Sequence, residues 1–204
     1  LFYAAMRYDK FFGDANTVDG GIFERSQLIG DPGGVRQKFV DHGLYMNIGV
    51  TQFLQRNTYG GDNKNTRFNG STDLWMWFDT GKANLWPGGA FFVHGEGRWR
   101  SGINNDVGSI QSANHDQNFP DTDSSNNNWA LSEWYVMQSL PWNLLAAGGK
   151  MNFASYGDTN MLANRERSQF LYSGLVVNPI PGEYFPYTTL IGWLNWTPNK
   201  THSL

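Results

Sequence analysis

His94, Glu96, Arg98 and Arg100 stand two residues apart in the stretch Phe91–Arg100. If that stretch is a strand, all of them share one face. A row of acids and bases with an imidazole can do several kinds of chemistry. Glu96 with Glu133 could be the carboxylate pair of a glycoside hydrolase, but nothing in the spacing fixes their separation. The same groups could replace water on the hydroxyls of a neutral, polar solute. They could also do no more than keep one face wet and pair with one another. The four His show no metal-ligand spacing, and the absence of Cys removes thiolate sites, thiol nucleophiles and disulfides. Ser, His and Asp combine only by chance. No catalytic residue, metal ligand or cofactor is therefore assigned, and the chain is not expected to be an enzyme.

The opposite face of that strand carries Phe91, Val93, Gly95, Gly97 and Trp99. In a soluble sandwich the charged face would meet solvent; in a transmembrane barrel it would line an aqueous lumen while the aromatics met lipid. Neighbouring alternating segments add Asp73, Trp75, Glu133, Tyr135, Lys150 and Asn152 to the proposed polar side.

These residues need strands to position them. Six segments alternate: 44–55, 68–80, 90–100, 129–140, 144–154 and 188–197. Val35, Phe39 and Val40 sit at helical spacing before Gly43, which predicts a short helix leading into the first strand. Leu85-Trp86-Pro87-Gly88-Gly89 and Pro141-Trp142-Asn143 read as turns. Residues 101–128 are a long polar segment, and 158–177 suggests a loop with a short helix holding Arg165, Glu166 and Arg167. Connections look short near 80–90 and 141 and long near 60, 115 and 170, the arrangement of an outer-membrane barrel.

Composition agrees. Charged residues are 16% of the chain, against about 25% in soluble domains, while aromatics reach 16% with nine Trp. A net charge of −3 argues against a nucleic-acid partner. No apolar run approaches the roughly 20 residues of a membrane-spanning helix. Leu1–Met6 lacks a basic region and a cleavage site, so an exported chain would begin after its signal.

Leu28-Ile29-Gly30-Asp31-Pro32-Gly33-Gly34-Val35-Arg36, Gly43 before a strand, the Trp86-Pro87-Gly88-Gly89 turn and Trp129–Tyr135 around Glu133 occur in that order. Together they resemble the carbohydrate-selective outer-membrane porins (OprB-type), with Pro32 where that family's first motif carries Trp. The resemblance implies an all-β fold, an antiparallel transmembrane β-barrel of roughly sixteen strands. This chain would supply about six of them, with a short N-terminal helix. It also implies passive diffusion of mono- or oligosaccharides, contact with outer-membrane lipid, and residence in the outer membrane of a Gram-negative bacterium. His94, Glu96, Arg98, Arg100, Asp73, Trp75, Glu133, Tyr135, Lys150 and Asn152 would then line the pore. Residues 1–27 would be a separate N-terminal segment and 28–204 the N-terminal portion of the barrel. The oligomeric state stays open. A soluble or surface-attached sugar-binding β module is the alternative.

Overall fold

The computed structural model describes residues 20–25, 27–120, 126–152, 170–177 and 187–198. Most of the 1–27 segment, and Arg165, Glu166 and Arg167, lie outside them. Strands β1 (Leu44–Arg56), β2 (Thr66–Asp79), β3 (Gly89–Trp99), β4 (Asn128–Leu140), β5 (Leu144–Asn152) and β6 (Thr188–Trp196) form one antiparallel sheet in sequence order. The expected all-β meander is present. Among the described residues it is not closed into a barrel: β1 pairs there only with β2, and β6 only with β5.

The entry to the sheet follows from its sequence. Asp31 accepts hydrogen bonds from the backbone N–H of Arg36 (2.7 Å) and Gln37 (3.2 Å), donors that have no partner inside helix α1 (Val35–Asp41). The chain can bring Asp31 back to that end because Gly33 and Gly34 take φ of 69° and 67°. Gly43, at φ 82°, ends the helix with its N–H on the Val40 carbonyl at 3.0 Å, and β1 starts at the next residue.

The turn after β2 closes on Thr80, whose hydroxyl donates to the carbonyls of Trp86 (2.6 Å) and Gly89 (2.9 Å). Trp86 Nε1 donates to Gln138 on β4 at 2.9 Å. The other connection on this rim is the short turn Pro141–Asn143. On the opposite rim, residues 100–127 and 153–187 make long connections, but 57–65 is no longer than 80–88. The expected alternation of short and long therefore rests on the later connections.

The two faces of the sheet differ. One carries Tyr45, Trp77, Phe92, Tyr135 and Met137 at the short-turn end and Asn69, Ser71, Asp73, His94, Glu96 and Arg98 toward the long loops, all buried. We call this the inner face. The outer face presents Ile48, Val50, Leu54, Leu74, Val136, Leu190 and Leu194, all exposed. Leu54 and Leu190 are each 74% exposed while Arg98 is 0%. Two outer tryptophans lie over glycines on the next strand, Trp99 on Gly70 and Trp129 on Gly97, where a Cβ would collide with the ring.

A bulge in β4 is needed to keep this sorting. His94 pairs with Glu133 but Gly95 pairs with Leu131, so Ser132 is an extra residue. Trp129 and Leu131 before the bulge and Trp134 and Val136 after it thus all face outward despite opposite parity.

Candidate functional site

His94 is the centre of the polar half of the inner face. Its register partners are Trp75 on β2 and Glu133 on β4. Its ring stacks on Trp75, with centroids 5.3 Å apart and planes 17° apart. Nε2 lies 2.9 Å from Asp73 Oδ1 and 3.9 Å from Glu96 Oε1, and Nδ1 lies 3.1 Å from Glu133 Oε1. Asp73 and Glu96 are direct cross-strand partners, so β2 and β3 bring both carboxylates to the same nitrogen. Glu133 also accepts the Asn152 backbone N–H at 2.8 Å, and Glu96 accepts the Tyr187 hydroxyl at 2.9 Å. Donor atoms of Asp73, His94 and Glu96 lie within 4.8 Å of one another, and all three residues are buried.

Arg98 continues the row but is already engaged. It donates from Nη1 to the Gln117 carbonyl (2.8 Å) and from Nε to the Asn126 carbonyl (3.2 Å). The segment 101–120 has folded over the polar half of the sheet. Asn69 Nδ2 reaches the Ser101 carbonyl at 3.1 Å, and Asn114 Nδ2 reaches Gln55 Oε1 at 2.8 Å. Helix α2 (Asn104–Val107) anchors the segment: Asp106 accepts Arg67 Nη2 at 2.8 Å and Asn65 Nδ2 at 3.0 Å. The Arg67 hydrogen bonds hold the Asp106 carboxyl below its ordinary range. The Asp106 carbonyl meanwhile accepts the N–H groups of Asp62 (2.9 Å) and Asn63 (3.0 Å), tying this loop to the β1–β2 connection.

A second covering segment contains helix α3 (Ser173–Val176). It is joined to the first by the His115 N–H on the Leu171 carbonyl (2.6 Å), the Ser173 N–H on the Ser112 carbonyl (2.9 Å), and a His115 Nδ1 to Ser173 Oγ contact at 3.0 Å. Burial pushes the His115 imidazole down to about 4.

Of the residues expected on the polar side, Asp73, Trp75, His94, Glu96 and Glu133 come together, and Asn152 joins through its backbone. Tyr135 faces inward but belongs to the apolar end, stacked on Phe92 with centroids 4.8 Å apart. Two expectations are corrected. Arg100 lies beyond β3, at φ 62°, and its guanidinium sits 5.5 Å from the centroid of the Phe68 ring, which belongs to the outer face. The left-handed residue ends the alternation that would have turned it inward. Lys150 pairs with the outward-facing Trp134 and Leu190, and its Nζ reaches the Leu131 carbonyl at 3.1 Å. Its neighbour Met151 is the one turned inward, 0% exposed.

Sequence reasoning missed Tyr187, Gln117 and Asp106. Each lies in a connection, where no alternation marks a face. It also missed the donor cluster at His94, because its atoms come from two strands and no single-strand spacing encodes it.

The fold and this cluster define an antiparallel meander with an apolar outer face and an inner one that is aromatic toward the short turns and polar and loop-covered at the other end. Comparison with family models, curated proteins and solved structures returns no match.

Proposed function

We propose that this chain forms part of the wall of a water-filled β-barrel in the outer membrane of a Gram-negative bacterium, through which mono- or oligosaccharides diffuse passively. The observation that carries the reading is the inversion of burial. Arg98, Glu96 and His94 are 0%, 7% and 6% exposed while Leu54, Ile48 and Val50 on the other face are 74%, 66% and 62% exposed. Water does not favour so large a contiguous apolar surface; lipid does.

Further features support it. The strands are 9 to 14 residues long, against about 9–11 for a tilted bilayer crossing. Aromatic residues flank the aliphatic band, with Trp86, Trp142 and Trp196 near the short-turn rim and Phe68, Trp99 and Trp129 near the other, as interfacial girdles do. From the Phe91 level to the Gly97 level of β3 is about 20 Å at ~3.4 Å per residue, close to the ~25 Å height of such a band. Among the described residues no helix is long and apolar enough to cross a membrane. In lipid the unpaired edges of β1 and β6 would need partners, so this reading requires further strands to complete the wall.

Carbohydrate as the cargo rests on the motif resemblance and on the inner-face chemistry. Trp75 offers a flat ring, and Asp73, Glu96 and Tyr187 offer acceptors and a donor for hydroxyls. Among the described residues, Ser71 Oγ and both ends of the Gln117 amide are buried without a hydrogen bond, as suits a face that exchanges partners with water and solute.

Planar-bilayer recording of the full-length protein, extracted from membranes in detergent, tests the proposal. The expected result is a conducting channel whose current falls on adding sugar. A protein that stays soluble without detergent and forms no channel at any concentration would favour the sugar-binding module instead. Release of reducing sugar, lost in Glu96→Gln or Glu133→Gln, would favour a hydrolase.

A further inference from the structure

We propose that Asn69 and Ser71 of β2, with Asn114 and Gln117 of the covering segment, form a subsite for the hydroxyl groups of a neutral sugar or polyol. The inference rests on the reading of the inner face as a sugar-contacting wall and names the place of contact.

The first observation is convergence. Ser71 is the register partner of Arg98, and Asn69 lies two residues away on the same buried face. The Arg98 guanidinium donates to the Gln117 carbonyl at 2.8 Å, which seats the single turn His115–Asn118 on this part of the sheet. Asn69 Nδ2 reaches the Ser101 carbonyl at 3.1 Å. The next residue, Gly102, packs on the Gln117 side chain, where an added Cβ would come to 3.2 Å from Oε1. Asn114 is held by its Nδ2 on Gln55 Oε1 and its backbone N–H on Asn104 Oδ1, both at 2.8 Å.

The second observation is a set of unmatched atoms. Among the described residues, Asn69 Oδ1, Ser71 Oγ, Asn114 Oδ1 and both ends of the Gln117 amide make no hydrogen bond, and the four residues are 0–5% exposed. Burying one such group unmatched is unfavourable, and gathering four at one interface calls for an outside partner. Other side chains of the same segment are matched within it: Asn104 Nδ2 and the Ser112 hydroxyl donate to Asn118 Oδ1 at 3.0 and 2.9 Å.

The chemistry of the partner follows from the atoms on offer. Asn69 and Asn114 each spend the amide nitrogen inside the protein, so both present an acceptor oxygen. Gln117 presents an acceptor and a donor, and Ser71 can act as either. The set is uncharged and rich in acceptors. An anion would face oxygens, and a cation would meet the Arg98 guanidinium next to Ser71. A hydroxyl both donates and accepts, and a solute carrying several on neighbouring carbons matches the set. The atoms are enclosed, so a solute reaches them when the turn His115–Asn118 shifts away from β2.

Saturation-transfer NMR titration of the full-length protein with maltose, in a detergent without a sugar headgroup, tests the subsite beside urea unfolding without sugar. The wild type should bind maltose. Ser71→Ala should weaken binding about 3- to 10-fold and Gln117→Leu about 10-fold or more. Neither variant should lower the urea midpoint, because each removes a buried group that the protein itself leaves unmatched. A purely structural role could not separate the two readouts in this way. If Gln117→Leu loses stability, Ser71→Ala decides the matter. No binding by the wild type, or affinity unchanged in both variants, would overturn the proposal. A lowered midpoint with unchanged affinity would assign the groups to ordered water only and overturn it as well. A conducting channel whose block by maltose is the same in both variants would sink the subsite and leave the pore standing. Maltose binding weakened in both variants, with no conductance from the wild type, would sink the pore alone.

Discussion

The inner face of this sheet has two ends that are built differently. Toward the short turns, Tyr45, Trp77, Phe92, Tyr135 and Met137 pack against one another and against Val40 of α1. Among the described residues their partners come from the strands, the helix and Lys82 of the turn after β2, whose Nζ donates to the Tyr45 hydroxyl. Toward the long loops, the same strands carry Asn69, Ser71, Asp73, His94, Glu96 and Arg98, also buried. These take partners from elsewhere, among them the Gln117 and Ser101 carbonyls and the Tyr187 hydroxyl. The difference teaches that one end is held by the packing of the sheet and the other by groups that the loops bring. Burial alone does not tell them apart; the origin of their partners does.

Substitutions on β2 and in the covering loop should break that contrast open. Trp77→Ala removes a ring that is 4% exposed and should cost the most, about 3–5 kcal/mol, measured as a shift in the urea midpoint. A loss below about 1 kcal/mol would mean that the aromatic end is not the stabilising one. Asp106→Ala removes the acceptor for Arg67 and Asn65 and should cost about 1–3 kcal/mol. Hydrogen exchange should locate the loss in 57–65 and 101–120 while the aromatic end stays protected.

His115 gives a pH test of the loop cover alone. Its folded value, about 4, lies below the unfolded 6.5, so its neutral form is the one the fold favours. That contribution is complete above about pH 6.5 and is lost as pH falls toward 4. Amide exchange around His115 and Ser173 should rise over that window, and His115→Gln should flatten the rise. Equal pH dependence in the variant would remove His115 from the coupling.

The smallest effect is expected at Ser71→Ala, six residues from Trp77 on the same strand. It deletes a buried hydroxyl that makes no hydrogen bond within the protein, so stability should change by less than about 0.5 kcal/mol or rise. A loss above about 1 kcal/mol would show that the hydroxyl holds an ordered partner.

How much of this was legible depended on whether a strong alternation was present. β1 to β3 could be placed and faced from sequence because aliphatic residues keep one parity on β1 and ionisable ones keep the other on β2 and β3, across the apolar runs Leu74–Phe78 and Ala90–Val93. α1 could be placed from Val35, Phe39, Val40 and Gly43. β5 could not be faced: Leu144–Asn152 is rich in Ala and Gly, and choosing the wet side by polarity turned Lys150 inward. Register with Trp134 and Leu190 decides it the other way. The β4 bulge at Ser132 was equally invisible, since a one-residue insertion leaves no mark on the composition. The polar cover was seen as a long Asn- and Ser-rich run, but which carbonyl meets Arg98 is a tertiary fact. The His94 cluster needs the Asp73–Glu96 register, which no local spacing carries.

The central claim is that the exposed Leu, Ile and Val face contacts lipid. The chain has no Cys, so single labels can be placed cleanly at Val50→Cys, Leu74→Cys or Leu190→Cys on that face and at Ser71→Cys on the other. In vesicles with brominated lipid, fluorophores at the first three should be quenched by the acyl-chain bromine and shielded from aqueous iodide, and the label at Ser71 should not be quenched by lipid. Iodide quenching of all three outer labels, with no quenching by brominated lipid, would contradict the account.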